Sequence, residues 1–365
     1  MKSALLGAAL WLTSAPALAQ SAGATFDNLS QAAERARQAG RPDEASRLFR
    51  EALALNPYWK EGLWYLGGLA YSRGDYSACR EHLHLLVKLE PGGSAGWSML
   101  GLCDYEAGQY DAAVAHLRQG QRSGQGTVSA IDSVAKYHLA MLLARGGDYE
   151  HALGMYYALA KGGTELNDGL LRAVGIAALR RPYLPEALPL SERDLVLQAG
   201  RAFWDVSSGK ATEGKAGFEA LARTYPAVTG VHYLFGSYLM TVDADRGLAE
   251  MQRELALSPR HMGALVTLAV EYLRREETAR ALPVATEAVR VDPQNFAAHT
   301  VLGRILVENG ALAKGAAELE LAKKLAPDDP QPRVALASAY AKLGRPKEAA
   351  RERQEFLRLK ALQSP

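Results

Sequence analysis

From Lys60 to Pro91 the apolar positions form two helical stripes separated by a turn. Leu63, Leu66, Gly67 and Ala70 are spaced three, one and three apart, the step that lines residues along one face of an α-helix. Gly74-Asp75-Tyr76 interrupts the stripe, and Cys79, Leu83 and Leu86 resume it on a second helix that Pro91 ends. Trp97, Leu100, Gly101, Gly108, Tyr110, Ala113 and Leu117 repeat the same offsets, and so do Leu302, Gly303, Gly310, Leu312, Gly315, Leu319, Ala322 and Pro327. Small residues let two helices approach, and large ones fill the space between them. The punctuation keeps a 34-residue step: Pro57 to Pro91, Pro259 to Pro293 to Pro327, Gly40 to Gly74 to Gly108, and Gly310 to Gly344. The chain therefore predicts an all-α stack of helix–turn–helix units, about ten of them by length.

Two stretches break the step. Gly108 and Gly147 are 39 apart, which inserts five residues around Ser123 to Thr127 and predicts a longer loop. Further on, Pro182, Pro185 and Pro189 follow a first helix near Asn167 to Leu179. Three prolines so close exclude an ordinary second helix, since each interior proline costs about 3 kcal/mol. The expected organisation is an amino-terminal array over 26–162, a half-repeat with a Pro-rich joint over 163–191, and a carboxy-terminal array over 192–362. The joint, missing one helical layer, is expected to be the weakest interface, with Tyr183 and Leu184 plugging the core edge. The charged last helix, from Pro346 to Leu362, is expected to cap the stack.

The W-x2-L-G spacing stands at Trp97-Ser98-Met99-Leu100-Gly101, and the later small, large, small and proline positions stand at Ala45, Phe49, Ala52 and Pro57. In these residues the chain resembles the tetratricopeptide repeat family, in an exported bacterial form. The resemblance covers nearly all of the chain after residue 19. It implies a right-handed α-solenoid of about nine to ten helix pairs with a concave binding face. In such a fold positions 2, 5, 9, 12 and 13 of each first helix face the concave side. These are Glu61, Trp64, Gly68, Tyr71 and Ser72 in the second repeat, and Ala95, Ser98, Leu102, Tyr105 and Glu106 in the third. The fourth repeat contributes Val134, Tyr137, Met141, Ala144 and Arg145. The carboxy-terminal array contributes Phe203, Val266, Val270, Leu273, Arg274, Thr300, Arg304, Glu308, Val334 and Lys342.

The resemblance thus implies a partner-binding groove with Trp64, Tyr71, Tyr105, Tyr137, Arg145, Phe203, Arg274 and Arg304 as its candidate contacts. Tyrosine at these family positions also serves packing. The carboxylate clamp by which some family members hold chaperone tails is missing, its positions being Trp64, Gly68, Ala95 and Met99.

The amino terminus is patterned differently. Lys2, an apolar run from Ala4 to Leu12 and then Ala17-Leu18-Ala19 are the parts of a secretory signal peptide over 1–19. The run is too short to span a bilayer, and no later stretch is apolar enough to do so. Cleavage after Ala19 places the mature chain in the periplasm or outside the cell.

Composition narrows the chemistry. With 42 basic and 40 acidic residues the chain carries a net charge of +2, and no basic footprint for nucleic acid is present. Two cysteines exclude a Cys-based metal module. Cys79 and Cys103 occupy facing positions of neighbouring units, so an oxidising compartment permits a disulfide between them; two small buried residues are the alternative. Gly92-Gly93-Ser94-Ala95-Gly96 has the letters of a nucleophile elbow but lies after Pro91 with helix on both sides, not after a strand. Gly209-Lys210-Ala211 lacks the glycine loop and hydroxyl of a phosphate-binding loop. His82 and His84 point about 200° apart on one helix, and His116, His138, His151, His232, His261 and His299 fall singly in separate repeats, as solvated side chains would. No catalytic residue, metal ligand set or cofactor is expected. The reading is a non-enzymatic scaffold in the cell envelope for a protein or peptide partner. A self-assembling structural repeat protein is the alternative, and an enzyme with an unrecognised site a further one.

Overall fold

The computed structural model describes residues 15–124 and 130–363. Most of the signal-peptide stretch, 1–14, lies outside the described residues, as does 125–129, the larger part of the expected long loop. Among the described residues there are 19 α-helices, two 3₁₀ turns and no strand. The chain divides into two compact units, 1–159 and 160–365.

The first unit holds α1 (Ala15–Gln38), α2 (Pro42–Leu55), α3 (Lys60–Ser72), α4 (Tyr76–Leu89), α5 (Ser94–Glu106), α6 (Tyr110–Ser123), α7 (Ala130–Arg145) and most of α8 (Tyr149–Lys161). Helices pair in sequence, α1 with α2, α3 with α4 and α5 with α6, and each pair packs on the next. The turn inside a pair needs a left-handed residue, and Gly74 and Gly108 supply it at φ 73° and 71°. Asp75 then caps α4 by accepting the Ala78 N–H at 3.0 Å. The W-x2-L-G glycine has a packing role: a Cβ on Gly101 would sit 2.6 Å from Leu117 Cγ, so only glycine lets α5 and α6 close to this distance. Phe49 anchors the first repeat, stacked on Trp59 at 5.0 Å and Tyr65 at 4.2 Å.

Two adjacent links tie α4 to α5. Cys79 and Cys103, both fully buried, form a disulfide with Cα atoms 6.2 Å apart. One residue further on each helix, Arg80 Nε donates to the buried Asp104 carboxylate at 2.7 Å.

The second unit continues from Ala160 through α9 (Asp168–Ala178), α10 (Arg193–Ser207), α11 (Ala211–Thr224), α12 (Val231–Leu239) and α13 (Ala244–Leu257). It ends with α14 (Met262–Arg274), α15 (Thr278–Val291), α16 (Phe296–Glu308), α17 (Leu312–Leu325), α18 (Gln331–Lys342) and α19 (Pro346–Gln363). The Pro-rich stretch lies inside this unit and folds as 3₁₀ turns over Pro185–Ala187 and Leu190–Glu192. Tyr183 Oη donates to Glu192 at 2.6 Å, and Arg181 bonds the same carboxylate at 3.2 Å.

The layer expected to be missing beside α9 is supplied by α10, which packs on both α9 and α11. Small residues make the double role possible. A Cβ on Gly175 would overlap the Val196 carbonyl, and one on Gly200 the Leu171 carbonyl, so the two backbones meet without side chains between them. On its other side α10 presents Ala202 to Gly214 and Gly217 of α11.

The histidines of this unit are not solvated. His232 is buried between Glu250 Oε2, 2.6 Å from Nδ1, and the Pro226 carbonyl, 2.9 Å from Nε2. His299 repeats this with Glu318 at 2.6 Å and the Pro293 carbonyl at 3.0 Å. Arg333 does the same with Glu352 and the Pro327 carbonyl, both at 3.1 Å, and in the first unit Trp97 Nε1 donates to the Pro91 carbonyl at 2.8 Å. In each case the donor lies six residues after the proline, so a residue of the first helix satisfies the carbonyl that the end of the preceding helix leaves open. The spacing was visible; its partners, on a helix 18 or 19 residues later, were not.

Candidate groove surfaces

In the first unit α3 and α5 flank a groove of about 980 Å³. Trp64, Gly68 and Ser72 line it from α3, Ala95 and Met99 from α5, and Glu34 and Arg37 from α1. Trp64 is 38% exposed, a large aromatic surface left in water. Around it lie fixed charges: Lys60 pairs with Glu90 at 3.2 Å, and Glu34 with Arg37. The hydrogen bond from Arg37 holds the Glu34 carboxyl below the ordinary carboxylate range against the opposing effect of burial. The floor is apolar and small, since Gly68 and Ala95 leave room above the backbone.

The other candidates of this unit stand elsewhere. Tyr71 and Trp64 share a helical face, but Tyr71 lies two turns on, beside the turn, where its ring meets Tyr76 at 6.0 Å. Burial, and then Glu106, push its phenol pKa up. Tyr105 repeats the arrangement against Tyr110 at 5.8 Å and also meets His138 at 4.7 Å. Tyr137 packs on His138 at 5.1 Å, and Arg145 lies over the Tyr110 ring at 4.7 Å. Tyr71 and Tyr105 stand near the ends of α3 and α5 and Tyr137 in the middle of α7, and none of these four residues lines the groove with Trp64. Ser98, Leu102, Met141 and Ala144, expected on the concave face, are buried, because α7 packs against α5 as well as α6.

In the second unit a groove of about 840 Å³ brings Arg274 and Arg304 together with Val334, Glu308 and Gln331. Arg274 is held by Glu271 at 2.6 Å, while Arg304 is exposed and no ion pair engages it among the described residues. Lys342 reaches Glu308 at 3.0 Å. Val270 and Val334, 41% and 45% exposed, leave apolar surface on the same helices. Glu271 receives hydrogen bonds from Arg274 and then Arg275, which hold its carboxyl down to about 2 although burial opposes them. Thr300 is buried, and Phe203, half-buried on α10, is not part of this groove.

Sequence reasoning missed Lys60, Glu90, Glu34 and Arg37 as groove residues. Position one of a first helix and the residue before the terminal proline frame each repeat that ends in a proline, and that is the signal by which Lys60 and Glu90 could have been found. Among the described residues no group of three or more His, Cys, Asp and Glu side chains is placed to hold a metal ion, and no helix is long and apolar enough to cross a membrane.

A tetratricopeptide repeat profile matches residues 30–94, 98–168 and 266–330, more than half of the chain. A search of curated proteins finds no match. Among solved structures, MamA 41-end from Desulfovibrio magneticus RS-1 is 22% identical, covering 47% of this chain and 97% of that one at a TM-score of 0.42. MamA AMB-1 is 22% identical over 44% of this chain and 96% of that one, at a TM-score of 0.38. The yeast Tom70 structure is 13% identical and covers 92% of each chain at a TM-score of 0.34. Likenesses at this level carry no inference about function.

Proposed function

The chain belongs to the tetratricopeptide repeat family, and from that premise we propose that it is a non-enzymatic scaffold of the cell envelope that holds a protein or peptide partner. The observation that carries this reading is Trp64, an indole 38% exposed in a groove of about 980 Å³ with an apolar floor and charged surroundings. Tryptophan in a pocket gives a large contact area at low conformational cost, and contacts of this kind dominate protein interfaces. A segment lying in the groove covers Trp64 and Met99, while Glu61 and the Lys60–Glu90 pair flank its path.

Export rests on two further observations. The patterning of residues 1–19 is that of a cleaved signal, and the buried Cys79–Cys103 disulfide suits an oxidising compartment. The mature protein then begins at Gln20 and works in the periplasm or outside the cell.

A photo-crosslinking residue at Ser72, in the groove, tests the binding reading in intact cells. It is expected to trap a discrete partner that the same residue at Glu81, on the second helix of that repeat, does not trap. Trp64→Ala is expected to weaken the interaction tenfold or more, about 1.4 kcal/mol or above. Equal trapping at both positions, or trapping indifferent to Trp64→Ala, would remove the groove from the function. Mass measurement of the fractionated protein checks export, with a terminus at Gln20 expected and an intact Met1 in the cytoplasm contradicting it.

A further inference from the structure

We propose that His84 and His116 form a two-histidine site for a divalent transition-metal ion of the Zn²⁺ and Cu²⁺ class. The residues are 32 apart in sequence, on α4 and α6, the second helices of neighbouring repeats, and their ring centres lie 5.4 Å apart. Two imidazoles binding one ion through Zn–N bonds of about 2.0–2.1 Å place their ring centres about 5 Å apart. The separation found suits a single shared ion.

The nitrogens are available. His84 makes no hydrogen bond among the described residues, so neither of its ring nitrogens is already engaged. His116 Nδ1 lies 2.6 Å from Asp104 Oδ2 and Nε2 makes no hydrogen bond among the described residues, so a neutral ring that donates Nδ1–H to this carboxylate presents the Nε2 lone pair. The other Asp104 oxygen is taken by Arg80 at 2.7 Å, so the fully buried carboxylate is fixed in place. A carboxylate behind a histidine in this way orients the ring and raises its basicity as a ligand. Asp104 also offsets part of the positive charge that Arg80 and Lys88 bring near His84. Among the described residues no third His, Cys, Asp or Glu joins them to complete a set of three, which leaves coordination positions for water. Imidazole suits Zn²⁺ and Cu²⁺, with Cu²⁺ bound the more tightly.

A bound ion bridges α4 and α6 across the same two repeats that the Cys79–Cys103 disulfide joins through α4 and α5. Trp97, whose ring lies 5.4 Å from that of His116, supplies an optical reporter.

Calorimetric titration of the untagged full-length protein with Zn²⁺ is expected to show one ion per chain. His84→Ala removes a side chain that holds no hydrogen bond, and His116→Gln keeps a donor for Asp104, so both variants are expected to fold by circular dichroism while losing tenfold or more in affinity. His82→Ala, two residues away on the other side of α4, is expected to bind as the parent does. Cu²⁺ is expected to quench Trp97 emission, and the quenching to vanish in both Trp97→Phe and His84→Ala. Absence of Zn²⁺ binding, affinity unchanged in the His84 and His116 variants, or equal losses in His82→Ala would overturn the site.

Discussion

At the scale of single residues, the position of a side chain decides chemistry that its type leaves open. His261 caps α14 by accepting the Ala264 N–H through Nδ1 at 3.2 Å, which only an unprotonated nitrogen can do. Its ring lies 4.5 Å from Tyr233, which Arg180 covers from 4.5 Å while donating to the Tyr233 hydroxyl at 2.7 Å. Burial, and then the Arg180 charge, lower the His261 pKa from 6.5 to about 4. A folded value below the unfolded one means that the fold favours the neutral ring. The stability this contributes is complete above pH 6.5 and is lost as the pH falls towards 4. His261→Asn keeps a capping acceptor and removes the titration, so it is expected to lose less stability than the parent over this window, by on the order of 2 kcal/mol. Urea unfolding at a series of pH values checks this, and parallel curves would contradict it. None of this could be read from the sequence, because the proton preference of His261 depends on Tyr233 and Arg180, which are 28 and 81 residues away.

At the scale of elements, the helices were legible because their punctuation is local. Glycine turns and terminal prolines set the helix boundaries, and apolar spacing set the buried faces, as the cores around Leu63 and Leu83 show. The signal fails where the fold keeps a geometry and changes the residue. Glu276 and Arg180 adopt φ 61° and 55° where other repeats have glycine, and so the 34-residue glycine step disappears there. The pairing of α9 with α10 was hidden for another reason. Three prolines announced a missing helix, whereas Gly175 and Gly200, which let the next helix move in, look ordinary in isolation. Gly175→Ala and Gly200→Ala are each expected to destabilise the protein by about 2–3 kcal/mol, because backbone carbonyls cannot yield to the added methyl group. Gly154→Ala, in α8 with open space around it, is expected instead to gain about 0.5–1 kcal/mol from helix propensity. Thermal denaturation of the three variants distinguishes these outcomes, and a neutral Gly175→Ala would show that α9 and α10 can separate without loss. The grooves were only partly legible. Helix position nominated Trp64, Arg274 and Arg304 together with Tyr71 and Tyr105, but Ser72 lines the groove while Tyr71, one residue before it on the same helix, meets Tyr76 instead.

At the scale of the whole molecule, stability in stacked repeats is close to a sum over units and their nearest neighbours. A covalent link in one place should therefore act locally. Cys79 and Cys103 close a loop of 24 residues within 1–159, and closure of that length stabilises by about 3 kcal/mol through the unfolded chain. Replacing both cysteines with alanine is expected to lower amide protection around α4 and α5 and to leave protection in 160–365 as it was. Hydrogen exchange read by mass spectrometry checks this, and an even loss across both units would show that they unfold together. The same bond sets a limit on how far the polypeptide can be drawn out. A fully extended chain spans about 3.3–3.6 Å per residue, whereas across this loop the path is clamped to the 6.2 Å between two Cα atoms. Pulled by its ends until every helix has given way, the oxidised molecule should therefore stop roughly 75 Å short of the reduced one, with 24 residues' length of slack that no force below covalent rupture can release.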